Sequence, residues 1–364
     1  MHAQASSFSR EATNRLTVHH FGPDPDTIGG MATAIRMLTE HSIGADLVRA
    51  HSTWRPGSSV PIRPIAASLL ALTRIRRGHI AHIHLSERGS FLREGLLAVL
   101  AGSLGLTVVV TLHGAVFTPF ARRHPRLVSA VLRRAHLILC LDRGVLEVVR
   151  ERAPQVRCEI LPNPAVIDKD ACPVNETGER VVFAGEIGLR KGADVLQRAW
   201  RVVAQRRPQA QCLLVGPLAD FCPRDTERLE VRPSAGIAEM KDILRQARVV
   251  VLPARAEGMP MILTEAMSLG RPFVSTPVGA IPDLAAGEGG VLVPVENSSK
   301  LADRITELLA DPELARKLGE RGQAFCARTR SVEVIDDRLR QLYAETARGA
   351  RDRRSKPGLI ANFR

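Results

Sequence analysis

The chain is poor in the residues that mark many function classes. Its six cysteines stand at 140, 158, 172, 212, 222 and 326. No pair has Cys-x-x-Cys spacing and none is grouped with histidine, so metal and dithiol-redox readings fall away. Cys140 and Cys212 lie inside apolar runs, where a thiol is a small core residue, and the overall usage suits a reduced, cytoplasmic protein. Aromatic residues make up only 4% of the chain, and no zinc knuckle or RNA-binding signature interleaves with the basic runs, so no nucleic-acid partner is expected. No Gly-x-Gly-x-x-Gly follows a strand with an acidic residue about twenty positions further on, which sets aside a dinucleotide oxidoreductase. Residues 1–15 are polar and lack the apolar core of a signal peptide. Gly95 to Leu112 is free of charge over 18 residues, but Gly102, Ser103 and Gly105 interrupt it. A buried helix followed by the β-branched strand Thr107–Leu112 accounts for it better than a membrane span.

What the chain does have is length for two α/β domains, at 364 residues, and a net charge of +13. Lysines are few and arginines many. The visible basic clusters are Arg74–Arg77, Arg122–Arg126, Arg133–Arg134 and Arg351–Arg354. Such charge implies an anionic partner, either a phosphorylated substrate or a phospholipid surface, or simply a solvated arginine-rich face. Residues 64–77 read as an apolar helix face ending in arginines, and Phe117 and Phe120 beside Arg122, Arg123 and Arg126 pair charge with apolar anchors.

Strand and helix patterns alternate throughout. Strands are predicted at 16–21, 45–48, 80–85, 107–112 and 137–141 in the first half. A second series comes at 180–186, 212–216, 248–252, 272–276 and 290–294. The pattern predicts two doubly wound Rossmann-like α/β domains facing one cleft. The first covers 1–166, with 1–14 expected to be flexible. A polar, irregular linker spans 167–179, and the second domain covers 180–330. A C-terminal helix over 331–347 is placed to cross back to the first domain, and 348–364 is a basic, mobile tail.

The richest segment is Glu257-Gly-Met-Pro-Met-Ile-Leu-Thr-Glu265, with seven residues between its carboxylates. Upstream, Arg248–Pro253 reads as a buried parallel strand, so the order is strand, loop, helix. That order puts backbone N–H groups and a positive helix end at the carboxyl edge of a sheet, which suits a phosphorylated ligand. The carboxylates would repel phosphate and are suited to accept hydrogen bonds from sugar hydroxyls on either side of a diphosphate. Arg190-Lys191-Gly192, after the first strand of the second half, adds cations ahead of a helix. His113 ends a strand at its carboxyl edge, and Gly29-Gly30 opens a helix. Asp24-Pro-Asp26 and Asp168-Lys-Asp170 match the Asp-x-Asp pattern that holds a metal and a diphosphate. Both sit in proline-rich or linker sequence away from strand ends, so they read as turns and no metal is expected.

The pattern Pro-x-x-x-Glu-Gly-x-Pro…Glu-Ala-Met-x-x-Gly-x-Pro around Glu257 and Glu265 resembles the hallmark of retaining glycosyltransferases of family 4, which have the GT-B fold. Leu161-Pro-Asn-Pro164 resembles that family's Pro-Asn turn at the domain junction, and Phe183–Gly192 resembles its diphosphate loop. Val278–Asp283 and Gly290–Pro294 resemble the family's segments after the second Glu. Thr111-Leu-His113-Gly and Gly29-Gly30 are similar to its N-terminal half, so the resemblance covers most of 16–330. It implies a cytoplasmic, polysaccharide-biosynthesis type of hexosyltransferase, peripheral on the inner membrane face. The donor is a nucleoside-diphosphate sugar, a substrate and not a cofactor, and the acceptor is a sugar or a lipid-linked sugar. The resemblance makes Glu257 and His113 the catalytic residues, with Glu257 on hydroxyls of the donor sugar and His113 reaching across from the first domain. Glu265 is implied at the nucleotide ribose, Lys191 at the diphosphate, and the amides of Gly258, Met259, Pro260 and Met261 at diphosphate and sugar, where proline offers position but no N–H. Gly29, Gly30 and Arg190 complete the donor side. The family commonly has arginine directly after the loop glycine, where this chain has Glu186, and Arg190 is placed to supply that charge. A sugar-nucleotide epimerase and a non-catalytic partner subunit of another transferase are the alternatives.

Overall fold

The computed structural model describes residues 16–55, 62–224 and 226–355. The expected flexible stretch 1–14 and residues 356–364 of the expected tail lie outside them. Two six-stranded sheets form, and every strand pair in both is parallel. The first contains β1 (Thr17–Pro23), β2 (Leu47–Trp54), β3 (Ile80–Leu85), β4 (Thr107–Leu112), β5 (Leu137–Cys140) and β6 (Arg157–Ile160), in the order β2-β1-β3-β4-β5-β6. The second contains β7 (Arg180–Ala184), β8 (Gln211–Val215), β9 (Leu229–Arg232), β10 (Val249–Leu252), β11 (Phe273–Ser275) and β12 (Gly290–Leu292), in the order β12-β11-β10-β7-β8-β9. These are two doubly wound α/β units, as the alternation of patterns predicts. Strand order reverses beside β1 in one sheet and beside β7 in the other, and loops leaving the carboxyl ends there open a crevice for ligands.

The central strands are buried on both faces. Every residue of β3, β4, β5 and β10 is buried, which explains their near-continuous apolar composition. The edge strands differ. β2 keeps Leu47, Arg49, Ala50 and Trp54 exposed, and β6 and β9 alternate charged with apolar residues. The expected strand at 45–48 therefore starts later and runs longer, and β6 and β9 have no counterpart in the predicted set.

Two more expectations need correction. The stretch 167–179 is not a free linker. Val174, in a single 3-10 turn, is buried in the core of the second domain, and Asp168 is paired with Lys241 at 2.9 Å and Arg245 at 2.6 Å. The mobile tail cannot begin at 348, because one helix runs from Val332 to Ser355. Its Ile335, Leu339, Leu342 and Tyr343 join Val18, Leu38, Ile43, Val109, Leu137 and Leu139 in a core of the first domain. The chain thus leaves that domain near Ala165 and returns at Ser331, and Ala165 N–H donates to Arg330 C=O at 2.7 Å where the two passes meet.

The returning helix leaves no room at Gly44. Its φ is +85°, and a Cβ there would lie 2.7 Å from both Leu339 and Tyr343. Replacing Gly44 by Ala is expected to lower stability by about 1–3 kcal/mol through overpacking and left-handed strain. The urea midpoint should fall with an unchanged denaturant slope. A midpoint equal to the parent's would show that the helix does not press on Gly44.

Candidate functional site

The cleft is built from loops at both points of reversal. Gly192, with φ +76°, caps the helix Ala193–Arg206. A Cβ on Gly192 would fall 2.0 Å from the Pro253 carbonyl oxygen, so only glycine lets the loop after β7 press against the loop after β10. Arg255 clamps the same two loops. Its backbone N–H donates to Arg190 C=O at 2.8 Å, and its guanidinium spans both oxygens of Asp194 at 2.7 and 2.8 Å.

This packing delivers the side chains singled out in the sequence to one place. Lys191 Nζ lies 2.9 Å from Glu257 Oε1, and Arg190 lies 3.3 Å from the same oxygen. Arg190 also reaches Ala256 C=O at 3.3 Å and Glu186 at 3.5 Å, so it already shares its charge between two carboxylates. The Glu257 side chain is 8% exposed. Glu265 is on the helix Met261–Ser268, half-buried, with Arg36 of the helix Gly30–Glu40 as its electrostatic neighbour. Burial pushes its carboxyl above the ordinary carboxylate value, and Arg36 partly opposes this.

The two domains touch here. A Cβ on Gly258 would stand 3.2 Å from the His113 carbonyl oxygen, and one on Gly30 would stand 3.7 Å from Met261. Gly29, at φ +152°, is the N-cap ahead of Gly30 and has open space around it. Pro260 caps the helix Met261–Ser268, its C=O accepting from Leu263 N–H at 3.2 Å and Thr264 N–H at 3.5 Å, so the leading amides of Met261 and Ile262 are the ones with no carbonyl within their own helix. Met259 Sδ accepts from Asn163 N–H at 3.3 Å, and Asn163 Nδ2 donates to Met261 Sδ at 3.3 Å. The Pro-Asn turn is thereby seated on the Glu257 loop.

His113 is half-buried, and burial lowers its pKa to about 3, so the ring is neutral. Its Nε2 lies 2.8 Å from His84 Nδ1, and His84 Nε2 lies 2.8 Å from His20 Nδ1. His82 stacks on His84, lies tilted against His20, and bonds Tyr343 Oη at 2.5 Å and Thr111 Oγ1 at 2.6 Å. Sequence reasoning missed this histidine layer, along with Arg255; it singled out the turn that holds Asn163 but not the contacts of that side chain. The available signal was Ala-His-Ile-His-Leu in β3, where His82 and His84 share one face, and β1 aligns His20 with His82.

The Asp-x-Asp matches are engaged locally. Asp24 follows β1 directly, so it does stand at a strand end, contrary to expectation. It accepts from Asp26 N–H at 3.0 Å and Ser52 Oγ at 2.8 Å and pairs with Arg55. Asp168 accepts from Asp170 N–H at 3.1 Å. Among the described residues, the one metal-like cluster is His20, His82 and His84, all buried.

The raised Glu265 carboxyl has a measurable consequence. Above the ordinary carboxylate value the folded form holds a proton that the unfolded chain releases. The associated stability is complete below the unfolded value and is lost as pH rises through the folded one. Glu265→Gln should therefore raise the melting temperature at pH 7 and make no difference at pH 4. A variant less stable than the parent at pH 7 would mean that the carboxylate has a stabilising partner.

Comparison with known proteins extends this geometry. Residues 178–311 match the family model described as glycosyl transferases group 1. A D-inositol 3-phosphate glycosyltransferase of Segniliparus rotundus is 31% identical over 182 residues, covering 46% of this chain and 40% of its own length. The chain thus aligns with less than half the length of that relative. Sucrose-phosphate synthase from Thermosynechococcus elongatus superposes with a TM-score of 0.72 over 92% of this chain and all of its own, at 18% identity. HepE of Anabaena, in complex with UDP-glucose, gives 0.70 over 91% of this chain and all of its own, at 15% identity. These likenesses show the two-domain GT-B fold over about nine-tenths of the chain, and the segment that carries Arg190, Lys191, Glu257 and Glu265 matches the model for glycosyl transferases group 1.

Proposed function

We propose that this chain is a retaining, metal-independent glycosyltransferase that moves a sugar from a nucleoside-diphosphate sugar to a hydroxyl acceptor. The observation that carries the reading is the shared carboxylate of Glu257, held by Lys191 and Arg190 at the mouth of the cleft, opposite His113. An arriving diphosphate offers these cations a stronger partner. As they turn to it, Glu257 is released to accept hydrogen bonds from hydroxyls of the donor sugar. The free amides at the start of the helix Met261–Ser268 meet the same negative charge. Glu265 takes the ribose hydroxyls, and His113 approaches the sugar from the first domain. Cationic neutralisation of the leaving diphosphate is the main contribution to the transition state. With no protein nucleophile assigned, the acceptor attacks from the face the diphosphate leaves, and the departing oxygen assists removal of the acceptor proton.

Binding tests this directly. A UDP-, GDP- or ADP-sugar that matches the site should stabilise the fold by ~2.7 kcal/mol at a hundredfold excess over its dissociation constant. Glu265→Gln should weaken that ligand roughly 10–100-fold, the worth of a charge-assisted hydrogen bond. Binding and transfer should persist in EDTA. No stabilisation by any nucleotide sugar would remove the reading, and loss of transfer in chelator, restored by Mn²⁺, would remove its metal independence. Donor consumption without acceptor would favour an epimerase.

The acceptor is read as a lipid-linked sugar in envelope or capsule polysaccharide assembly. Phe117 and Phe120 cannot serve as anchors in a membrane, because Phe117 is buried and both pack with Phe91. The neighbouring helix Arg88–Ser103 instead exposes Leu92 and Leu96, one turn apart, at 59% and 49%. Among the described residues no helix is long and apolar enough to cross a membrane. Each arginine near an anionic surface contributes ~1 kcal/mol, so replacing Arg122, Arg123 and Arg126 by Ala should weaken phosphatidylglycerol vesicle binding by roughly two orders of magnitude. If the parent protein stays in the supernatant at low salt, a soluble acceptor is the better reading. The Segniliparus relative, whose name gives D-inositol 3-phosphate, supports that second possibility.

A further inference from the structure

The histidine layer beneath the cleft has a property that its individual contacts do not. His113, His84 and His20 form one chain of nitrogen contacts, Nε2 to Nδ1 and Nε2 to Nδ1, each at 2.8 Å. Burial holds His20, His84 and His113 neutral, so each ring carries one proton and each contact needs one. Only two arrangements satisfy both contacts. In one, the protons point toward the cleft: His20 Nδ1–H donates to His84, His84 Nδ1–H donates to His113, and the His113 proton sits on Nδ1. In the other, every proton is reversed.

The far end of the chain chooses between them. His20 Nε2 is buried and has no partner among the described residues. In the reversed arrangement that nitrogen would be an orphaned N–H, the costlier kind of unmet group in a buried site. Pointing toward the cleft, it is a bare lone pair. His82 does not compete in this choice. Its partners, Tyr343 Oη and Thr111 Oγ1, are hydroxyls that can donate or accept, so either of its tautomers is satisfied. It braces the rings by packing, stacked on His84 with centroids 4.4 Å apart and tilted against His20 at 4.7 Å.

A metal is the rival explanation, since one nitrogen from each of His20, His82 and His84 lies within 4.8 Å of the others. Both nitrogens of His82 and of His84 are already bonded, and no carboxylate belongs to the cluster. The adjoining cavity, beside His82, His84, His113 and Asn163, is about 20 Å³, room for one water. A divalent cation there would be buried without a counter-charge.

We propose that His84 and His20 are positioning residues that fix the tautomer of His113, so that its Nδ1 carries the proton and donates to an oxygen of the bound donor. The donor's identity as a sugar nucleotide rests on the function proposed above; the tautomer itself does not. The second nitrogen of a histidine decides what the first can do, and a wrong tautomer leaves geometry intact while removing rate.

Two-bond ¹⁵N–¹H correlation spectra of the full-length, histidine-labelled protein read the tautomer without any ligand. The expected result is an Nδ1–H tautomer for His113 in the parent, lost or mixed in His84→Phe and in His20→Phe. Transfer by both variants should fall on the order of tenfold in kcat/KM for the donor, with UDP, GDP or ADP affinity unchanged. An Nε2–H tautomer in the parent overturns the proposal, and this reading requires no variant to fold. So does a His113 signature unaltered by either substitution, or stoichiometric zinc in the purified parent that His84→Phe abolishes. Fixed Nδ1–H in a protein that binds no nucleotide sugar would sink the proposed function and leave the tautomer assignment standing.

Discussion

One carboxylate organises the second domain's side of the cleft. Glu257 is almost wholly covered, and two cations from a different loop converge on one of its oxygens. Neither loop could hold that geometry alone. The β10 loop brings the acid, the β7 loop brings the bases, and Gly192 allows them close enough to meet. A buried acid with two bases is costly to maintain, and it persists because the partners satisfy one another. The same arrangement is poised to be exchanged. On the function proposed above, a diphosphate and a sugar would offer the cations and the carboxylate separate partners, and the resting contact would be a placeholder for substrate.

The first domain meets this cluster through backbone and glycine. Gly258 sits against the carbonyl of His113, and Gly30 faces Met261. A Cβ at Gly258 would press on the His113 carbonyl oxygen at 3.2 Å, whereas one at Gly30 would only touch Met261. Methionine sulfurs bridge Asn163 to the same loop, a soft contact suited to small rearrangement. Behind His113 the contrast is sharp: a rigid stack of imidazoles, tied through Tyr343 to a helix at the other end of the chain.

The parts of the fold legible in the sequence were those whose burial leaves a continuous apolar run. β3, β4, β5 and β10 are such runs. β6 and β9 are edges, where charged residues alternate with apolar ones and the signal resembles a loop. The spacing of Glu257 and Glu265 was legible because both carboxylates belong to one strand-loop-helix unit. The histidine layer was not, because its members come from three strands and its tie to Tyr343 spans 261 positions. Phe117 and Phe120 looked like surface anchors for a related reason. Local sequence shows charge beside aromatic rings, but only packing shows that the rings turn inward against Phe91. Asp24 was legible as a turn residue yet misplaced relative to its strand.

The last long helix has a consequence for how the chain reaches its native state. Val332–Ser355 completes a core whose other walls include β1, β4 and β5. During synthesis those strands emerge first and must wait, incompletely covered, while the entire second domain is made. That second domain has all its strands and most of its helices before residue 331 and can close before the first one does. The usual order of N-terminal before C-terminal folding is thus inverted, with an apolar face on the earlier domain open until Val332–Ser355 has been made. Termination before Val332 would leave a domain that holds the Glu257 cluster beside one that lacks a wall, so the emerging chain's demand for chaperones is set by the two dozen residues of this one helix.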